Sequence, residues 1–168
     1  VAMSGGVDSS VTAVLLQEKG YQVFGMTMSL TGFLDGQEPK SHPVEDARRI
    51  CDFLHIPHHM IDVDEIARSC VVDNFVDEYL NGRTPNPCVR CNALVKWEAL
   101  LRMADRLDAE FVATGHYARV IHREDGVAEL RKGVDTSKDQ SYALWRMGQE
   151  HLRRTLLPLG GMRKTETR

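Results

Sequence analysis

The sequence has no run of about 18 apolar residues, the length a membrane-spanning helix needs, so no such helix and no membrane partner are expected among its 168 residues. It has no basic stretch followed by a long apolar one at its start, which reads VAMSGGVDSS, so no secretory leader is expected. Cysteine is scarce. Four in a chain of this length do not make a disulfide framework, and a reducing cytoplasm is the expected compartment. Neither sign of charge prevails: a formal charge of −3 and an isoelectric point near 6.2 exclude binding to polyanions through overall positive charge. There is no internal repeat, collagen period or low-complexity tract. What remains is one domain's length of sequence, 42% hydrophobic and 27% charged, able to bury roughly 70% of its unfolded surface.

The charge is unevenly spread. Residues 35–79 carry eleven acidic and four basic side chains, a net −7, whereas residues 146–168 carry six basic and two acidic ones, a net +4. Two solvated faces account for this, and so does a polyanion meeting the C-terminal side.

Val1-Ala2-Met3 reads as the end of a buried strand that begins before residue 1, and it runs straight into Ser4-Gly5-Gly6. A helix follows with Val11, Val14 and Leu15 on one face and Gly20 as its C-terminal stop. Residues 22–28 read as a strand, 31–42 as a loop, and a helix starts at Pro43 with Ala47, Ile50, Cys51 and Leu54 inward. A strand over 59–63 leads to a helix capped by Asp64 and carrying Ile66, Cys70, Phe75, Val76 and Tyr79. The breakers of GRTPNPCVRC make residues 82–91 a loop, after which Asn92 caps a helix with Leu94, Trp97, Leu101 and Ala104 inward. Residues 110–114 read as a strand, and Asp125-Gly126 as the turn of a hairpin over 118–131. Helical periodicity returns after Ser137, and the last residues, 166–168, fall in a further helix, as a fragment of a longer chain would end.

Strands alternating with helices at this spacing predict an α/β fold. It is a parallel twisted sheet with helices on both faces, Rossmann-like, with a small hairpin and C-terminal helices. Such sheets bind ligands beyond the carboxyl ends of their strands, so the loops after Met3, Met28, Val63 and Thr114 should share one crevice. Residues 1–134 form the expected main domain and 135–168 the start of a second segment.

Ser4-Gly5-Gly6-Val7-Asp8-Ser9-Ser10 turns a strand into a helix. Two glycines let the backbone close on an anion, which the N–H groups of the helix N-terminus then face, and the serines add hydroxyls. Asp8 has the wrong charge for a bare phosphate and suits a Mg²⁺ ion or the helix cap. The Walker sequence GxxxxGK[ST] is absent. In the second motif, two prolines stiffen the approach to Cys91, placed just before the expected helix start, where peptide dipoles favour a thiolate nucleophile. Arg90 and Lys96 add positive potential. Zinc needs a second ligand pair that the spacing of His55, His58, His59 and Cys51 does not supply. An iron–sulfur cluster on Cys88, Cys91 and an external cysteine, a redox disulfide between the two, and two structural thiols all remain open.

The glycine loop resembles that of the N-type ATP pyrophosphatases, whose fold is called adenine nucleotide alpha hydrolase-like. That resemblance implies ATP cleavage between the α- and β-phosphates and transfer of AMP to a substrate oxygen. TPNPCVRCN, together with Phe24 to Met28, Glu45 to Cys51, ATGHYAR at 113–119, Asp135 to Tyr142 and the 159–168 segment, resembles the tRNA 2-thiouridylase family over nearly the whole chain. The resemblance implies adenylation of O2 of the wobble uridine, followed by sulfur transfer from a cysteine persulfide. It implies ATP contacts from Ala2, Met3, Ser4, Gly5, Gly6, Val7, Asp8, Ser9, Ser10, Met28 and Gly115, with Mg²⁺ beside Asp8. Asn86 and Pro87 would border the target base, and His116, Lys138, Asp139 and Gln140 would contact tRNA. Cys91 would attack the persulfide or pair with it as a disulfide, and a persulfide-carrying protein would donate the sulfur. An iron–sulfur cofactor is not what the resemblance favours.

Two departures stand out. Some members carry a general-base Asp where Cys88 stands. The persulfide cysteine of the family lies beyond residue 168, while Cys51 and Cys70 fall on apolar helix faces and read as core. A stand-alone sulfurtransferase acting on another substrate and a non-catalytic nucleotide-binding module remain open as alternative functions.

Overall fold

The computed structural model describes residues 1–29 and 43–168; the loop expected over 31–42 lies outside them. Residues 1–3 are hydrogen-bonded on both sides. Met3 N–H donates to the Met26 carbonyl at 2.7 Å and Met26 N–H to that of Val1 at 2.8 Å, while Ala2 N–H reaches Ala113 at 2.8 Å. On one side lie β1 (Gly25–Ser29) and β2 (His58–Asp62), paired in parallel, with Ala2 and Met26 bridged in parallel too. On the other lies β3 (Val112–Ala113). Beyond an antiparallel hairpin of β4 (Ala118–His122) and β5 (Ala128–Lys132), β6 (Thr155–Leu156) pairs in parallel with β3. The order across the sheet is therefore β2, β1, residues 1–3, β3, β6.

Side chains alternate along these strands, so both faces need cover. Val1, Met3 and Ala113 join Ala13 and Leu16 of α1 (Val7–Glu18) and Ala47 and Cys51 of α2 (Pro43–Phe53) in one apolar cluster. Ala2, Met26 and Val112 meet Trp97, Leu100 and Ala104 of α6 (Trp97–Arg106) and Leu144, Leu152 and Leu157 on the opposite face. Trp97 and Leu100 are fully buried, and each such side chain contributes on the order of 2 kcal/mol by leaving water. Before α6, the chain forms α3 (Asp64–Ala67), α4 (Asp73–Leu80) and α5 (Pro87–Cys91); α7 (Gln149–Arg153) follows the hairpin.

Several expectations need correction. The buried face of α1 is Ser9, Thr12, Ala13 and Leu16 rather than Val11, Val14 and Leu15, because Ser9 and Thr12 bond to backbone carbonyls of their own first turn. Asp64 is not a cap: Val63 holds that position without a side-chain bond. The helix expected to begin at Asn92 begins at Pro87, for Asn86 Oδ1 accepts the Val89 N–H at 3.4 Å and Pro87 takes the first helical position. Asn92 is instead buried inside it, donating to the Ala143 carbonyl at 3.1 Å. A π-helical turn over Asn92–Lys96 adds a residue to the path between α5 and α6. It shifts the inward phase, so Val95 rather than Leu94 is buried. A second π-helical turn, Arg68–Val72, links α3 to α4. Residues 166–168 form no helix.

At Gly25 a Cβ would collide with Cys51 Sγ and come within 3.2 Å of Met3 Cγ. Gly25→Ala should therefore lower stability by about 1–3 kcal/mol, read as a fall in the urea midpoint, and Cys51→Ala should restore part of the loss. Equal losses with and without the Cys51 sulfur would refute this packing account.

Candidate functional site

A cavity of about 770 Å³ opens at the carboxyl ends of the parallel strands. Met3 and Ser4, Met28 and Ser29, Val63, and Thr114 and Gly115 all line it, so among the described residues the strand ends from which the four expected loops leave share one crevice. Asp8, Glu45, Arg48, Cys91, Lys96, His116 and Gln140 line it as well. A smaller cavity of about 270 Å³ lies among the residues entering the strands, such as Phe24 and Phe111; a parallel sheet does not bind its ligands there.

The glycine loop is held by close approach. Gly5 has φ +73°, and a Cβ there would lie 2.7 Å from Cβ of Asp46. Gly6 caps α1 in an extended conformation. Ser9 and Ser10 hydroxyls donate to the Gly6 carbonyl at 3.0 and 2.9 Å, and Ser9 Oγ accepts the Ser4 N–H at 3.2 Å. These hydroxyls shape the loop, and the first-turn N–H groups of α1 are left to meet an anion. A second glycine closes the other wall: a Cβ on Gly115 would sit 2.9 Å from the Asp8 backbone.

Asp8 Oδ1 accepts from Lys164 Nζ at 2.5 Å and from the Tyr117 hydroxyl at 3.0 Å. Tyr117 OH accepts from Thr167 Oγ1 at 2.7 Å, and Thr167 Oγ1 lies 3.0 Å from the Lys164 carbonyl oxygen. The contact raises the Lys164 pKa, chiefly through its bond to Asp8, so this ammonium stays charged. Lys164, Tyr117 and Thr167 were not among the site residues expected from sequence. The separation of 156 residues between Asp8 and Lys164 leaves no local signal, although the net positive charge of residues 146–168 points to that end of the chain.

Around the cysteines the geometry departs from expectation. Cys91 ends α5 instead of preceding a helix, and burial pushes its thiol up, against the pull of Lys96. It is Cys88, which is exposed, that lies at the start of a helix, in the first turn of α5. Arg90 does not face the thiols; its Nε donates to the Cys70 carbonyl at 2.8 Å. Cys51 is buried in the core, and Cys70 packs half-buried beside Val63 and Val95. Among the described residues no group of three or more His, Cys, Asp and Glu side chains gathers as a metal site, and no helix is long and apolar enough to cross a membrane.

Residues 1–168 match the family described as tRNA methyl transferase HUP domain. The chain belongs to that family. It is 51% identical to the tRNA-specific 2-thiouridylase MnmA of Salinibacter ruber, over all of this chain and 46% of that protein. It is 49% identical to the enzyme of the same name from Cytophaga hutchinsonii, over all of this chain and 47% of that protein. The chain thus spans about half the length of these relatives. A solved structure from Methanocaldococcus jannaschii, titled a predicted subunit of tRNA methyltransferase, superposes with a TM-score of 0.54 over 99% of this chain and 69% of its own, at 21% identity. That likeness concerns the fold.

In this HUP domain the remaining expected residues divide by the state of their polar groups. Asp139 is spent on its own loop, accepting from Gly133 N–H, Ser141 N–H and Ser141 Oγ. Gln140 brackets Tyr117, donating its N–H to that carbonyl and accepting that N–H on Oε1, each at 2.9 Å. Lys138 and Asn86 are exposed, and Pro87 is half-buried. His116 Nδ1 shares a 2.7 Å bond with Thr114 Oγ1, and its ring lies 5.6 Å from that of Trp97. Burial, with Lys96 adding to it, lowers its pKa from 6.5 to about 4.

The ring is therefore neutral at pH 7. Between pH 6.5 and about 4 the unfolded chain takes up a proton that the folded one refuses, so stability falls on acidification through that window and is fully present above it. His116→Gln should flatten this loss, seen by comparing urea midpoints at pH 7 and pH 5. Parallel losses in variant and parent would refute it.

Proposed function

We propose that this chain is the nucleotide-binding, uridine-activating part of a tRNA 2-thiouridylase working in the cytoplasm. The observation that carries the reading is that Ser4, Asp8 and Ser9 of the glycine loop, at a helix N-terminus, and Cys91 line one cavity of about 770 Å³. The names of the relatives supply the substrate class. Residues 1–134 hold most of the nucleotide site. Residues 135–168 begin the tRNA-contacting part and lend Lys164 to the phosphates.

The chemistry follows from roles. Uridine O2 is a poor leaving group. Its attack on the α-phosphorus of ATP breaks the bond to the β-phosphate, expels pyrophosphate and leaves O2 bonded to AMP. Sulfur then attacks C2, and AMP departs with that oxygen. The N–H groups of Gly6, Val7 and Asp8 face the phosphates, and Ala2, Met3, Met28 and Gly115 leave room for the nucleotide. Lys164 supplies a charge on the side where pyrophosphate forms. Mg²⁺ would offset phosphate charge, and Asp8 would hold it through Oδ2, the carboxylate oxygen that does not accept from Lys164. Neutral His116 and Asn86-Pro87 border the base, and Lys138, Asp139 and Gln140 form the tRNA-side rim. A persulfide-carrying protein loads a second cysteine outside this chain. Cys91 attacks the inner sulfur of that persulfide, forms a disulfide with the second cysteine and expels the outer sulfur as hydrosulfide, which attacks C2; a thiol reductant then restores the two cysteines. Lys96 favours the thiolate this step needs, and Cys88 stands where a general base would act.

The test is tRNA-dependent AMP release from ATP, using the full-length protein that carries this chain. Lys164→Met should lower the rate about tenfold or more, and Cys91→Ser should abolish thiolation while sparing AMP release. ATP binding without AMP would instead favour a nucleotide-binding module, and AMP release lost in Cys91→Ser would overturn the role of Cys91.

A further inference from the structure

Among the described residues, two segments each carry more than one exposed aromatic or large apolar side chain outside the cavity. On α4, Phe75, Val76, Tyr79 and Leu80 are exposed, but Asp73, Asp77 and Glu78 share that helix, and such a face repels a phosphate backbone. The second patch has the opposite surroundings. In the segment after Gln140 the chain makes successive short turns: Ala143 N–H donates to Gln140, Leu144 N–H to Ser141 and Met147 N–H to Leu144. Ala143, Leu144 and Met147 are buried, while Tyr142 is 60% and Trp145 69% exposed. Ser141–Ala143 form one 3₁₀ turn, and Tyr142 within it and Trp145 just beyond it are exposed three residues apart while the residues between them are buried. Arg146 and Lys138 are exposed beside them in sequence. The nearby carboxylate of Asp139 is engaged by its own loop.

This turn is fixed to the candidate site. Its Ser141–Ala143 stretch packs on α5, which carries Cys88 and Cys91, and the buried Asn92 side chain clasps the Ala143 carbonyl. Gln140, two residues before Tyr142, lines the cavity. A phenol and an indole exposed within five residues of the cavity wall, with Arg146 next in sequence to the indole, suit a flat π-partner on a charged backbone.

We propose that Tyr142 and Trp145 form a stacking platform for unpaired nucleobases that flank the target base in a single-stranded RNA loop, with Lys138 and Arg146 against the adjoining phosphates. The proposal rests on the RNA-acting reading above. It adds a source of preference for looped over duplex RNA, since bases already stacked in a helix offer no free face.

The experiment uses the full-length protein and two probes, a synthetic uridine-containing stem–loop RNA and a blunt duplex RNA of equal length. Trp145→Ala should weaken stem–loop binding about 5- to 100-fold and change duplex binding little, whereas Trp145→Phe, which keeps a π-face, should stay within a few-fold of the parent. The Trp145 contribution to emission, isolated by subtracting the Trp145→Phe spectrum, should be open to acrylamide in the free protein and shielded by the stem–loop. Shielding before RNA is added would mean that the rest of the polypeptide or a second copy covers the patch, and would overturn the proposal. Stem–loop binding and tRNA-dependent AMP release unchanged in Trp145→Ala would overturn it while leaving the function intact. Failure of the parent protein to bind stem–loop RNA at all would overturn both.

Discussion

Three residues at the start of the chain carry the arrangement on which the site depends. Residues 1–3 bond to β1 on one side and to the strand ending at Ala113 on the other. A strand bonded on both edges in a parallel sheet is covered on both faces, and its carboxyl end falls in the middle of the ligand-binding edge. Ser4-Gly5-Gly6 leaves from that point, so the amide groups of α1 start at the centre of the cavity floor. Met28 arrives from one neighbouring strand and Gly115 from the other. The close approach of Gly115 to Asp8 follows from the same adjacency, because the turns after two neighbouring strands must pass each other where the first enters its helix.

That geometry also sets the electrostatics. Lys164, Arg48 and Lys96 approach the floor from three separate parts of the chain, against Asp8 and Glu45. The loop contains no lysine of its own, so the positive charge beside it is brought in by tertiary structure. Holding Lys164 needs Asp8, Tyr117 and Thr167 together, which couples the first turn of α1 to a segment more than 150 residues away.

Much of this was legible in the sequence, and what was not has a physical cause. Strand–helix alternation gave the parallel sheet, and Asp125-Gly126 gave the hairpin, with Gly126 at φ +78°. Gly20, at φ +84°, ends α1 as read. The Pro-Cys segment was misread because two prolines look like breakers, whereas Asn86-Pro87 is a cap followed by the one helical position where proline loses nothing. The π-helical turn at Asn92–Lys96 carries no sequence signature of its own, and it moved the inward face by one residue. The Asp8–Lys164 tie joins residues that no periodicity connects.

The corrected start of α5 changes the balance between the two thiols. Had the helix begun at Asn92, peptide dipoles alone would have favoured a Cys91 thiolate. Since it begins at Pro87, Cys91 lies a full turn inside, where burial favours the neutral thiol and Lys96 is the named group opposing it. Lys96 also pushes His116 toward its neutral form. One ammonium thus does two things of opposite outward effect: it favours a charged sulfur and an uncharged imidazole. The imidazole brings no charge of its own to the cavity, and at the Cys91 sulfur burial and the Lys96 ammonium pull in opposite directions.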